Sequence, residues 1–215
     1  MRKILSTLVV FVVVLLPCGG IIYERSQELK HLRSKIEHLK AENAKLQSVL
    51  HDGNKAVSEL QKRITLSRYY TFLARARGCT HEPSVVLVET VLKVLKNEQI
   101  NRCHFEPDDI MALLLVESCF NPRAKSHAGA LGLGQVMPRT ANEYGIDDKA
   151  RLYEPELNIE LSVKILNDYA AQYDCNKRLG LLAYNRGPTK VAQVLRQGQD
   201  PSNRYDDKVI RFGGL

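Results

Sequence analysis

No stretch of this sequence alternates apolar and polar residues over the length of a convincing strand, which argues against a sheet-built fold. There is no internal repeat and no low-complexity tract, so neither a repeat array nor a compositionally biased linker is expected. Aromatic residues are 7% of the chain and nowhere interleave with a block of Lys and Arg, so no nucleic-acid partner is expected. The net charge of +7 does not change this. Residues 1–63 carry 11 Lys/Arg against 6 Asp/Glu, and residues 64–215 carry 20 against 18. The excess lies in the first third, spread as a solvated helix surface would spread it. Cys79, Cys103, Cys119 and Cys175 match no zinc spacing, and no metal or cofactor is expected. Cys119 is not read as a nucleophile, because His127 and the other histidines sit in no cysteine-protease context.

One long apolar run is present. Ile4 to Ile22 holds 19 residues without a charge, after Arg2 and Lys3. About 20 apolar residues cross a bilayer core, so an uncleaved signal anchor is expected over residues 1–22. A cleaved signal peptide has a shorter apolar core and a small-residue cleavage site, which is absent. A lipoprotein signal at Cys18 is a third option that Pro17 disfavours. The positive residues before the span place the N-terminus in the cytoplasm and the rest of the chain outside it, in single-pass form at the inner membrane. Under that topology the four later cysteines lie where disulfides persist, and at least one disulfide is expected.

A heptad follows. Leu29, Ile36, Asn43 and Leu50 occupy a positions and Leu32, Leu39 and Leu46 occupy d positions, the 3.5-residue period of a left-handed coiled coil. Asn43 at an a site pairs best with its own copy in a parallel homodimer. Glu28 faces Arg33 of such a partner favourably, whereas Lys35 and Lys40 repel. Gly53 at a d site should loosen or break the coil. The alternative is an amphipathic helix packed on the chain's own domain. Residues 23–65 are read as a stalk that holds residues 66–215 away from the membrane.

Residues 66–215 read as all-helical. Helices are expected over Pro83–Ile100, Pro107–Phe120, Pro138–Gly145 and Pro155–Tyr173, followed by two more in "NKRLGLLAYN" and "GPTKVAQVLRQG". The third of these stretches opens on Pro and closes on Gly, and the second carries Pro107, Asp108 and Asp109 in its first turn. Within "MALLLVESCFNP", Glu117 shares a helix face with Leu113, Leu114 and Phe120. Desolvation among such neighbours raises a carboxyl pKa toward the range of a general acid. Taken alone, the stretch leaves open a glutamate that turns out of the helix end into water.

Three blocks downstream favour the first reading. "ESCFNPRAKSHAGALGLGQVMPRTANEYGI" resembles the first signature of the lytic transglycosylases of the soluble (SLT) type. "LYEPELNIELSVKIL" resembles that family's Pro-x-x-Asn-Ile block, and "LLAYNRGPTKV" its Ala-Tyr-Asn-x-Gly-Pro block. The resemblance runs from about Phe105 to Val209. It implies a lysozyme-like helical catalytic domain with a glycan groove, and cleavage of the β-1,4 bond between N-acetylmuramic acid (MurNAc) and N-acetylglucosamine (GlcNAc) in peptidoglycan. It places Glu117 on the catalytic glutamate, acting as acid and then as base for the muramoyl C6 hydroxyl, which gives a 1,6-anhydro end. Most glycosidases need two carboxyls. Here the matched blocks hold no second acidic residue at a fixed motif position, and Glu143, Asp147, Glu154 and Glu156 read as solvated surface.

The resemblance further implies substrate-binding roles for Ser126, Gln135, Met137, Tyr184, Asn185 and Tyr205. Tyr184 would hold Glu117. Gln135 reads alternatively as a loop brace, Met137 as core filler, Asn185 as a turn cap, and Asn158 as a bracket of the fold. Two departures stand out. Gly134 lies where the family prefers Met, which would remove a side chain from a sugar face. Pro201 and Ser202 lie where Glu-Thr often precedes the tyrosine, which weakens Tyr205. Three functions are therefore carried forward: a membrane-anchored lytic transglycosylase, a hydrolytic muramidase of goose-lysozyme type, and a non-catalytic coiled-coil protein that binds glycan. A lipoprotein or a phage-encoded enzyme is the alternative setting.

Overall fold

The computed structural model describes the backbone of residues 2–213 and the side chains of residues 23–213. All regular elements among them are helical: α1 (Arg2–Arg75), α2 (Val85–Leu95), α3 (Pro107–Ser118), α4 (Pro138–Glu143), a 3-10 turn (Lys149–Tyr153), α5 (Pro155–Ala171), α6 (Lys177–Arg186), α7 (Pro188–Arg196) and α8 (Tyr205–Gly213). The only β pairing among the described residues is two isolated bridges, Lys125 with Leu131 and Leu131 with Val136. The all-α expectation therefore holds for these residues.

The N-terminal transmembrane helix expected over residues 1–22 does not hold. No helix among the described residues is long and apolar enough to cross a membrane. The apolar run belongs to α1, and from Tyr23 to Ile64 that helix carries charged residues in nearly every turn, so no window of membrane length there stays apolar. The side chains of Ile4 to Ile22 lie outside the described residues, as does the Cys18 side chain on which the lipoprotein alternative turned.

The chain divides into two units, residues 1–60 and 61–215. In the first, Leu29, Leu32, Ile36, Leu39, Leu46 and Leu50 are all between 50% and 65% exposed, so the heptad stripe is not covered by this chain. The helix itself continues through Gly53, the d-site residue expected to loosen or break the coil. A glycine costs about 1 kcal/mol in a helix interior, and a helix of this length absorbs that.

In the second unit α3 is the central element. It starts on Pro107, with the Glu106 N–H donating to Asp109 Oδ2 at 2.9 Å. Ile110, Met111, Ala112, Leu113, Leu114 and Leu115 are all buried, because α2 and α8 pack on it. Full burial around the helix is the pattern of a core helix. Asp109 is itself buried, and burial pushes its carboxyl up despite Lys177 Nζ at 3.3 Å. Beside α3, α5 packs against α2 and α6. Ser84 caps α2 by accepting from the Leu87 N–H at 3.1 Å. Two disulfides form, Cys79–Cys119 and Cys103–Cys175, 40 and 72 residues apart in sequence. Loops of those lengths lose about 4 kcal/mol of denatured-state freedom each on closure.

Candidate active site

Glu117 occupies the penultimate position of α3. Its carboxyl pKa is pushed up to about 7, chiefly by burial, and a hydrogen bond from Tyr205 works in the opposite direction. The Tyr205 hydroxyl donates to Glu117 Oε1. Among the described residues no cation and no second carboxylate acts on Glu117, so its proton affinity is set by desolvation against one phenol. Tyr205 is buried and its own pKa is well raised, first by burial and then by the charge on Glu117, so it stays a donor.

Tyr205 is mounted from the end of α6. Asn203 Nδ2 donates to Asn185 Oδ1 at 2.9 Å, and the Tyr205 N–H donates to Asn203 Oδ1 at 3.2 Å. Arg186 donates to the Pro201 carbonyl. Asp206, next to Tyr205, is fully buried and accepts from Arg178 Nε at 2.6 Å and Ser202 Oγ at 3.2 Å. Pro201 and Ser202, the residues that weakened the Tyr205 expectation, thus help to fix the start of α8.

The glycine loop ahead of α4 forms the adjoining wall. Asn158 of α5, fully buried, donates to the Leu131 and Leu152 carbonyls at 3.0 and 2.8 Å and accepts from the Gly134 N–H at 2.7 Å. Gly132 sits at φ 76°, and a Cβ there would lie 2.2 Å from the Leu152 carbonyl oxygen, so only glycine fits. At Gly134 a Cβ would lie 1.9 Å from Ser162 Oγ and 3.0 Å from the Tyr184 hydroxyl. The space that a side chain at position 134 would enter is therefore filled by Ser162, whose hydroxyl donates to the Asn158 carbonyl at 2.7 Å. Tyr184 donates to the Gly134 carbonyl at 2.7 Å, and burial, then the charge on Glu117, push its pKa up.

The phenol that bonds Glu117 is thus that of Tyr205, while Tyr184 braces the loop within the electrostatic reach of Glu117. Gln135 has a left-handed backbone, φ 51°, and its Nε2 donates to the Gly132 carbonyl at 2.9 Å. With Met137 (39% exposed) and Tyr184 it lines a small cleft of about 50 Å³ that Thr140, Ile165 and Tyr169 complete. Ser126 Oγ accepts from the Ala130 N–H at 3.0 Å and closes its own turn. Asn185 is exposed and holds Asn203. Thr140, Ser162 and Tyr169 were not singled out from the sequence. Ser162 lies in the "NIELS" run one turn after Asn158, which was the one available signal. Among the described residues no three His, Cys, Asp or Glu side chains group as a metal site.

The family model described as the transglycosylase SLT domain matches residues 95–206, more than half of the chain. The chain belongs to the SLT transglycosylase family. Over 115 residues the SLT region is 39% identical to "Membrane-bound lytic murein transglycosylase C" of Actinobacillus pleuropneumoniae, covering 46% of this chain and 32% of that protein. It is 39% identical over 88 residues to "Soluble lytic murein transglycosylase" of Salmonella typhimurium, covering 38% of this chain and 14% of that one. The chain thus spans a third or less of the length of these curated relatives. Among solved structures, the lytic transglycosylase Slt of Pseudomonas aeruginosa superposes with a TM-score of 0.50 at 27% identity, over 58% of this chain and 23% of Slt.

Proposed function

We propose that the SLT domain cleaves the MurNAc–GlcNAc β-1,4 bond of peptidoglycan without water, leaving 1,6-anhydro-MurNAc ends. The observation that carries this is Glu117: a half-buried carboxyl titrating near 7, held by one phenol, with no carboxylate partner among the described residues acting on it. At neutral pH such a group is divided between its two forms, as one residue serving first as acid and then as base requires. As acid, Glu117 protonates the glycosidic oxygen. As base, it takes the proton from the muramoyl C6 hydroxyl as that oxygen bonds to C1. The Tyr205 hydroxyl stabilises the carboxylate between the two steps. Gln135, Met137 and the cleft beside Tyr184 take the flanking sugar groups. Ser126 and Asn185 act mainly through the loops they brace. The names of the relatives in Actinobacillus and Salmonella, both murein transglycosylases, support the substrate. The Slt structure is described as an inactive mutant with glutamate replaced by glutamine, which supports a glutamate as an essential group.

The setting is the cell envelope, supported by the "membrane-bound" relatives and by two disulfides in the SLT unit. The exposed stripe from Leu29 to Leu50 is proposed to pair in parallel with a second copy, Asn43 fixing the register.

The test is digestion of purified cell walls with mass analysis of the muropeptide ends. Ends one water lighter than reducing MurNAc support the reading. Reducing ends that take up labelled oxygen from water would make the domain a hydrolytic muramidase. No release at all, with Glu117→Gln indistinguishable from wild type, would leave a glycan-binding protein.

A further inference from the structure

The end of α3 that carries Glu117 is held by two contacts from one short segment. Cys119 and Phe120 both adopt left-handed backbone conformations, φ 49° and φ 58°. Neither has glycine's freedom there, so the surroundings must impose the geometry. Cys119 is the left-handed C-cap of α3, with its N–H on the Leu115 carbonyl, and its side chain is tied by the disulfide to Cys79. At Phe120 the constraint is burial, with the ring set edge-on against Phe72 at a centroid distance of 6.4 Å and an angle of 89°. Phe72 lies in the last turn of α1, and Cys79 follows the turn that the Cys79 N–H closes on the Ala76 carbonyl at 2.9 Å. Both contacts land within three residues of Glu117. The other disulfide does not: Cys103 accompanies Asn167 of α5, whose Oδ1 accepts from the Cys103 N–H at 2.8 Å, and Cys175 lies beyond the end of that helix.

We propose that the Cys79–Cys119 disulfide, backed by Phe72 on Phe120, is a positioning device for Glu117, setting the depth at which α3 presents its carboxyl to Tyr205. Helix ends fray when their last carbonyls lose partners. Here the last turn is fixed by the Cys119 N–H on the Leu115 carbonyl at 3.0 Å and by the side-chain clamp beyond it. Without the crosslink the left-handed pair relaxes and the half-buried Glu117 becomes more hydrated. The titratable groups facing that carboxyl are Tyr205 of α8 and Tyr184 of α6, both neutral phenols, so hydration is the change that its proton affinity registers. The consequence for rate rests on the proposed function; the consequence for the carboxyl does not.

The test compares two full-length variants, Cys79→Ala/Cys119→Ala and Cys103→Ala/Cys175→Ala. The Glu117 carboxyl is titrated by carbon NMR, with Glu117→Gln assigning the signal, and kcat and KM are measured on cell walls. Removing the first crosslink should lower the Glu117 midpoint by about one unit or more from its value near 7. It should lower kcat about tenfold or more, with KM little changed. Removing the second should leave the midpoint and kcat near wild type while lowering the melting temperature. Equal shifts in the two variants, or no shift in the first, overturn the proposal. If the first variant does not fold, Phe72→Leu with both disulfides intact decides: a downward shift supports the clamp and an unshifted midpoint overturns it. A wild-type chain that releases no anhydro ends but shows the NMR contrast sinks the proposed reaction and leaves the clamp standing.

Discussion

Replacing Glu117 by Gln should stabilise the protein, and by an amount that depends on pH. The carboxyl titrates near 7 in the folded chain against an ordinary value of 4.5, because burial disfavours its charged form. Its folded-state pKa is raised, so its contribution to stability is fully present below pH 4.5 and is lost as pH rises through 7. Between pH 5 and pH 8 the loss reaches about 2.5 kcal/mol, discounted somewhat for the water that reaches this partly buried group. Glutamine keeps an oxygen for the Tyr205 hydroxyl and never ionises, so the variant escapes the loss. For a unit the size of residues 61–215 the wild-type and variant melting temperatures should nearly coincide at pH 5 and separate by roughly 5–10 °C at pH 8, with Gln the higher. Calorimetry at the two pH values measures this. A gap of the same size at both, or a variant less stable at pH 8, would refute the desolvated carboxyl and with it the acid–base reading of the site.

Further outcomes follow from the same contacts. Tyr205→Phe removes the one hydrogen bond that favours the charged form of Glu117, so the alkaline limb of the kcat/KM profile should move up by about 1–2 units from near 7; a limb that stays in place contradicts the pairing. Gly134→Ala drives a Cβ into Ser162 and should cost about 1–3 kcal/mol in denaturant unfolding. Ser162→Gly should recover most of that in the double variant, and a purely additive pair would show that the two positions do not meet. Asn158→Ala strands the Gly134 N–H of the loop and the Leu152 carbonyl of the 3-10 turn, while the Leu131 carbonyl keeps the Val136 N–H, and should cost about 2–4 kcal/mol; a cost under about 1 kcal/mol would show that the bracket is dispensable.

Much of the SLT unit was readable because its signals are local. Pro107 with two aspartates announced α3, Pro155 announced α5, and the apolar approach to Glu117 carried its raised pKa. What escaped depends on distance along the chain. Tyr184 and Tyr205 are interchangeable to a reader of spacing, and only the packing of α8 on α3 sets the latter on the carboxyl. Helix α8 itself was missed because it is short and begins within the departed Glu-Thr motif. Gly134 read as a missing sugar contact until Ser162, 28 residues later, was found in its space. The apolar run before Tyr23 matched a membrane span in length and charge. The side chains of that run lie outside the described residues, and among the described residues no helix is long and apolar enough to cross a membrane.

Asn158 has a consequence for anyone who would re-engineer this groove. Its side-chain amide offers two donated hydrogens and an acceptor oxygen, and each meets a backbone group of the loop or of the 3-10 turn. Aspartate cannot donate, serine falls short, and glutamine overshoots in a fully buried site. The position therefore admits almost no sequence variation, while Met137, Thr140 and Tyr169 line the cleft without making any of these contacts. A library that tests the proposed glycan binding of this cleft should hold the amide constant and vary those three rim positions.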